Sequence, residues 1–228
     1  MFTNVNLAAP IGILLCLGTV SLIFGLALVL IFSVITKRFR LAKLSGSAIV
    51  VVAVLYLSFL LIFSWRSSER VLARGQEKHF CEIDCHLAYS VINSRTTRTL
   101  GDAGNQLVAA GQFRVITIKT RFDEETISPR RGNSLLYPNS RVLVVIDASG
   151  KQYFPSAEAE RFLQISNQAG VPLTSPLRPS ENYQTTVVFD LPADIQSPAL
   201  LIREGELATH FVIGHENSPL HKKALFQI

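Results

Sequence analysis

Apolar residues run without a charged interruption from Met1 to Thr36 and again from Leu44 to Trp65. A span needs about 20 apolar residues at roughly 1.5 Å rise to cover a hydrocarbon core of about 30 Å. Each run therefore predicts a membrane-crossing helix, over about 10–36 and 45–65. Beyond residue 66 the helical period nearly vanishes, and short segments rich in Val, Ile, Phe, Tyr and Thr take its place. His86 to Thr96, Gln112 to Phe122, Arg141 to Asp147, Lys151 to Phe154, Tyr183 to Leu191, Ala199 to Arg203 and Leu207 to Gly214 read as strands. In the second of these, Arg114, Ile116, Ile118, Thr120 and Phe122 alternate with Phe113, Val115, Thr117, Lys119 and Arg121. The second set turns polar toward its end. Val142 to Ile146 is apolar on both faces and is expected to be central.

Turn chemistry fits this reading. Asp147-Ala148-Ser149-Gly150 offers Gly for a left-handed residue closing a hairpin. Pro155, Pro172, Pro176, Pro179, Pro192, Pro198 and Pro219 separate elements. Ala157 to Ile165 is the one helix expected here, capped by Ser156, with Glu158 and Glu160 in its first turn. The expected fold class is thus an α+β membrane protein, a two-helix transmembrane hairpin followed by an all-β, immunoglobulin-like antiparallel sandwich. The divisions are 1–66 for the hairpin, 67–80 for a juxtamembrane linker and 81–228 for the outer domain.

Three segments carry a family resemblance: Asp147-Ala148-Ser149-Gly150-Lys151-Gln152-Tyr153, Leu177-Arg178-Pro179-Ser180-Glu181 and Thr186-Val187-Val188-Phe189-Asp190-Leu191-Pro192. Together they resemble the pattern of small bacterial immunoglobulin-like domains anchored outside the membrane, a group of unknown function similar to a secreted mycobacterial immunoprotective antigen. The resemblance covers roughly 112–203 and implies a fold and an extracytoplasmic location. It implies no catalytic residues. Ser180 departs from the family pattern, which often has Gly there, so a different turn type is expected.

Charge refines the topology. Lys37, Arg38, Arg40 and Lys43 fall within seven residues between the two runs, with no acid among them. By the positive-inside rule that loop faces the cytoplasm. Both termini then lie outside, in the inner (cell) membrane of a bacterium. A weaker opposing pull comes from Arg66, Arg70, Arg74 and Lys78, which Glu69 and Glu77 dilute. The start of the chain has no basic residue and Cys16 follows Leu14 and Leu15, so neither a cleaved signal nor a lipoprotein site is expected. The net charge of +5 and pI near 9.3 come from these two basic stretches, and the remainder is close to −1. A lipid bilayer is an expected partner and nucleic acid is not.

The sequence concentrates its candidate chemistry in His79-Phe80-Cys81-Glu82-Ile83-Asp84-Cys85-His86. Four readings of the cysteines stand open. Cys81 and Cys85 form a local disulfide, which an oxidising compartment favours and which requires the segment to curl. They remain packed or free thiols. They ligate copper or zinc with His79 or His86 and with one of His210, His215 and His221, since the first and last strands of such sandwiches often adjoin. Or Cys81-x3-Cys85-His86 is a haem-attachment motif carrying one extra residue. A binuclear copper centre is excluded, because Tyr89 and Ile92 occupy its further ligand positions and Met1 is the only Met. Asp123-Glu124-Glu125 reads as a solvated loop answered by Arg130 and Arg131, or as a site for a hard cation. His215 to His221 reads as a polar turn before a last strand. Phosphate-loop, nucleophile-elbow and metalloprotease signatures do not occur.

The expectation is a non-enzymatic, membrane-anchored outer domain. It binds a membrane or extracytoplasmic protein partner, as an accessory subunit of a membrane complex. The alternative is a module handling copper, zinc or haem.

Overall fold

The computed structural model describes residues 8–80, 87–102, 104–124 and 132–228. They fall into two compact units. The first to be considered holds helices α1 (Ala8–Ile35) and α2 (Phe39–Trp65), together with Glu206–Lys222. Both helices are long and apolar enough to cross a membrane. Their large apolar side chains, among them Leu14, Leu17, Val20, Leu22 and Phe24, are exposed around the circumference, unlike those of an amphipathic surface helix, which gather on one face. Three of their serine hydroxyls turn back onto the helix itself. Ser33 Oγ donates to the Val29 carbonyl at 2.6 Å, Ser45 Oγ to Leu41 at 2.9 Å and Ser58 Oγ to Val54 at 2.7 Å. A polar side chain is thereby satisfied without water.

The second unit is built of two sheets. One has strand order β1 (Arg70–Leu72), β9 (Ala224–Gln227), β8 (Ala199–Glu204), β5 (Arg141–Ile146), β6 (Gln152–Tyr153). The other runs β2 (Lys78–Phe80), β3 (Leu87–Leu100), β4 (Leu107–Phe122), β7 (Asn182–Leu191). Their facing residues share one core. Tyr89, Ile116, Ile118, Phe122 and Phe189 from one sheet meet Val145, Leu200, Ile202 and Phe226 from the other. This makes a β-sandwich-like fold. The alternation expected along β4 is present, with Ile116, Ile118 and Phe122 facing that core. Phe113 and Val115 face the other way, under α3 (Ala157–Ile165), whose Ala159 and Leu163 pack on them. Ser156 caps α3, its side chain accepting from the Ala159 amide.

The structure departs from the expected strands at three places. Leu207 to Gly214 is not a strand: Leu207–Phe211 is a short 3-10 helix, and Val212 and Ile213 are buried beyond it. Eight residues, six of them apolar or β-branched, leave strand and helix unresolved in sequence, and packing decides between them. The segment 67–80 holds β1 and β2. The sheets are also not wholly antiparallel, since β1 runs parallel to β9, Arg70 opposite Ala224 and Leu72 opposite Phe226. The strand beside β9 is thus β1, not the first strand expected from the sequence, His86 to Thr96. Ser180 adopts φ +69° after Pro179, and the Glu181 amide donates to the Arg178 carbonyl at 3.0 Å. Proline at the second position and a positive φ at the third are the type II combination, so Ser180 holds the conformation a glycine would.

The inter-sheet core contains charge. Lys78 is buried, and its Nζ donates to the Ile202 carbonyl at 2.7 Å. The fully buried Arg141 guanidinium stacks 4.4 Å from the centre of the Phe80 ring and lies 3.9 Å from Glu204, its cross-strand neighbour. Lys78 approaches the same ring to 4.9 Å. Cation–π contact and carbonyl bonding offset part of the cost of desolvating these cations.

Candidate functional site

The three-strand row His79–Ala88–Arg121 generates the most concentrated chemistry among the described residues. His79 pairs with Ala88 across β2–β3, and Ala88 pairs with Arg121 across β3–β4. Side chains two apart on a strand share a face, so Glu77 joins His79 and Asp123 joins Arg121. Ala88 lies between them with only a methyl group, which lets the longer side chains meet above it. Arg121 makes a bidentate pair with Glu77, Nε to Oε1 at 2.9 Å and Nη2 to Oε2 at 2.8 Å. Its other contact is Asp123, at 3.3 Å. Asp123 is buried, and its Oδ2 lies 2.9 Å from Nε2 of His79.

Each pKa shift follows from that geometry. The Arg121 hydrogen bond is the main cause holding the Glu77 carboxyl below its ordinary range. The same bond, seen from the other side, raises the Arg121 guanidinium. Charge-assisted fork contacts of this kind are among the stronger hydrogen bonds in proteins.

Ligand atoms of Glu77, His79 and Asp123 all lie within 4.8 Å of one another, close enough for a metal ion. The chemistry of the donors argues otherwise for the carboxylates, because Arg121 already supplies their cation. His79 is different. Its Nε2 lies 2.9 Å from the Asp123 carboxylate, which leaves Nδ1 as the ring nitrogen not so engaged. Nδ1 is buried and has no hydrogen-bond partner among the described residues. A histidine held through one nitrogen by a carboxylate and open at the other is the arrangement in which protein-bound metals hold imidazole.

The remaining predicted site residues divide cleanly. Cys81, Cys85 and His86 lie outside the described residues, as do Glu125, Arg130 and Arg131. His210, His215 and His221 belong to the helical unit. There His210 Nδ1 lies 3.2 Å from the Leu207 carbonyl, His215 Nδ1 accepts from the Asn217 amide at 3.0 Å and His221 Nδ1 lies 2.7 Å from the Lys222 carbonyl. Asp123 faces Arg121 and His79, while Glu124 accepts from the Ser180 hydroxyl. Glu77 and Arg121 escaped the sequence reading. Their signal is an i, i+2 repeat at two strand ends, legible only once the three-residue β2 is recognised.

No protein-family model matches the chain, and no curated protein matches it. Two solved structures are similar. One is the secreted protein MPT63 of Mycobacterium tuberculosis, solved at 1.5 Å resolution, with 12% identity and a TM-score of 0.41 over 71% of this chain and 98% of that one. The other is a conserved hypothetical protein from Bacillus anthracis, with 12% identity and a TM-score of 0.39 over 58% of this chain and 88% of that one. At these values neither likeness bears on what the chain does.

Proposed function

We propose that α1 and α2 anchor the chain in a bacterial inner membrane as a two-pass hairpin, and that the β-sandwich is an extracytoplasmic, immunoglobulin-like, non-catalytic binding module. Its role is that of an accessory subunit presenting strands and loops to a membrane or extracytoplasmic protein partner. The observation that carries this reading is the apolar surface exposed all round both helices, which water does not tolerate on a monomer at that size and acyl chains do. The hydroxyls turned onto helix carbonyls support it, as backbone and side-chain polarity must be met internally in lipid. The basic turn at Lys37 and Arg38 orients it. In-membrane photocrosslinking from positions on the sandwich tests the binding role. A discrete crosslinked partner that recurs from neighbouring positions supports it, and crosslinks to lipid or solvent alone contradict it.

The open Nδ1 of His79 favours a second reading, a module that handles copper, zinc or haem. Imidazole nitrogen with nearby thiolates suits zinc or copper(I), and Cys81 follows His79 by two residues, with Cys85 and His86 next in sequence. Metal analysis and an absorption spectrum of detergent-purified protein test it. Stoichiometric metal or haem that is lost in both His79→Gln and Cys81→Ser supports the second reading. A metal-free protein without titratable thiols at Cys81 and Cys85 sinks it and leaves a disulfide.

A further inference from the structure

The excursion between β8 and β9 is fastened to the helices at three points. The Tyr56 hydroxyl donates to the Phe211 carbonyl. Gly12 brings α1 so close to Ile213 that a Cβ there would stand 2.2 Å from the Ile213 carbonyl oxygen. At the far end the Lys222 amide donates to Ser67 Oγ at 2.7 Å. Gly12 is the second residue of the apolar span Ile11–Ile35, so the excursion sits at the end of α1 remote from the basic turn.

From Leu207 to Gly214 the chain has no Asp, Glu, Lys or Arg. Val212 and Ile213 are buried, but Leu207 is 73% and Phe211 52% exposed. On α2, Phe59, Phe63 and Trp65 are exposed as well. Several carbonyls of the segment are meanwhile bonded within the protein. The Val212 carbonyl accepts from Ser218 Oγ at 2.6 Å and from the His215 amide at 3.1 Å, and the Thr209 carbonyl accepts from the Val212 amide. Apolar side chains turned outward beside internally bonded carbonyls suit the boundary between headgroups and acyl chains.

We propose that Leu207–Gly214 is an interfacial element that inserts Leu207 and Phe211 among the glycerophospholipid chains of the outer leaflet. This rests on the reading that α1 and α2 span the bilayer. Phe211 lies beside Tyr56, from whose hydroxyl its carbonyl accepts, and adds to the exposed aromatic side chains that α2 carries toward its end, Trp65 among them.

Trp65 is the only tryptophan in the chain, which makes it an internal reference. The full chain is reconstituted into phosphatidylcholine vesicles containing lipid brominated near the headgroup end of its acyl chains. Emission is compared for the wild type, for Trp65→Phe with Phe211→Trp, and for Trp65→Phe with Leu207→Trp. Quenching at 211 and 207 to about half intensity, matching that at Trp65, is expected for side chains at the interface. The Leu207 variant keeps the experiment decisive if the Phe211 variant misfolds. Quenching at Trp65 alone overturns the inference and leaves the hairpin standing. Blue-shifted but unquenched emission at 211 and 207 also overturns it, because the segment is then covered by protein. Absence of quenching at every position overturns the membrane reading as well.

Discussion

Arg121 sets the electrostatics around His79, and its fork contact with Glu77 gives the sandwich a pH dependence of definite sign. The Glu77 carboxyl ionises more readily in the folded chain than at its ordinary value of 4.5. The stability it contributes is therefore complete above that value and is lost as pH falls through the lower folded value. Denaturant unfolding of the wild type and of Glu77→Gln at a series of pH values is expected to show a gap at neutral pH that narrows below about 4.5. A gap constant with pH contradicts the pairing. Asp147 acts in the same direction, because Ser149 Oγ bonds its carboxylate and holds it below the usual range. Within the core, Glu204 is an acidic neighbour of Arg141, and its removal takes a charge partner from a buried guanidinium. Glu204→Gln is expected to cost about 3 kcal/mol in the same unfolding assay. A cost under about 1 kcal/mol would place it among ordinary surface pairs. None of these pairings is visible in sequence. Lys78 and Glu204 look like unremarkable strand charges until the register brings them between two sheets.

At the scale of elements, legibility followed length. β3, β4 and β7 are long strands rich in β-branched and aromatic residues, and β5 and β8 are short apolar runs, so all five are readable, as is α3 from its cap and acidic first turn. β1 and β2, three residues each, and β9, four, span two periods at most. Nothing local distinguishes such segments from a linker or a tail, and β1 is held only by a partner at the other end of the chain. The 3-10 helix at Leu207–Phe211 has the composition of a strand. Its conformation answers to the helices it packs on. Two substitutions probe elements that were readable. Ser156→Ala removes the acceptor for the Ala159 amide and is expected to cost about 1 kcal/mol, read as a lower unfolding midpoint. Ser180→Gly relieves a left-handed φ, an expected gain of about 1 kcal/mol less the value of the hydroxyl bond to Glu124. A loss of stability in that variant shows the hydroxyl bond to outweigh the backbone strain.

For the whole molecule, the two apolar runs and the four basic residues between them carried most of the information. They account for the alkaline pI and leave the rest of the sequence nearly neutral. The candidate site was half legible. His79 was singled out by its cysteine neighbours, whereas Glu77, Arg121 and Asp123 assemble around it only through three strands of register. The central claim is that the sandwich stands outside a membrane held by α1 and α2. Protease digestion of intact spheroplasts and of inside-out vesicles, followed by immunodetection of the C-terminal region, tests it most directly. The account predicts loss of that region in spheroplasts, protection in inside-out vesicles and a membrane-embedded helical fragment that resists alkaline extraction. Digestion only in inside-out vesicles, or release of the whole chain by alkali, would contradict it.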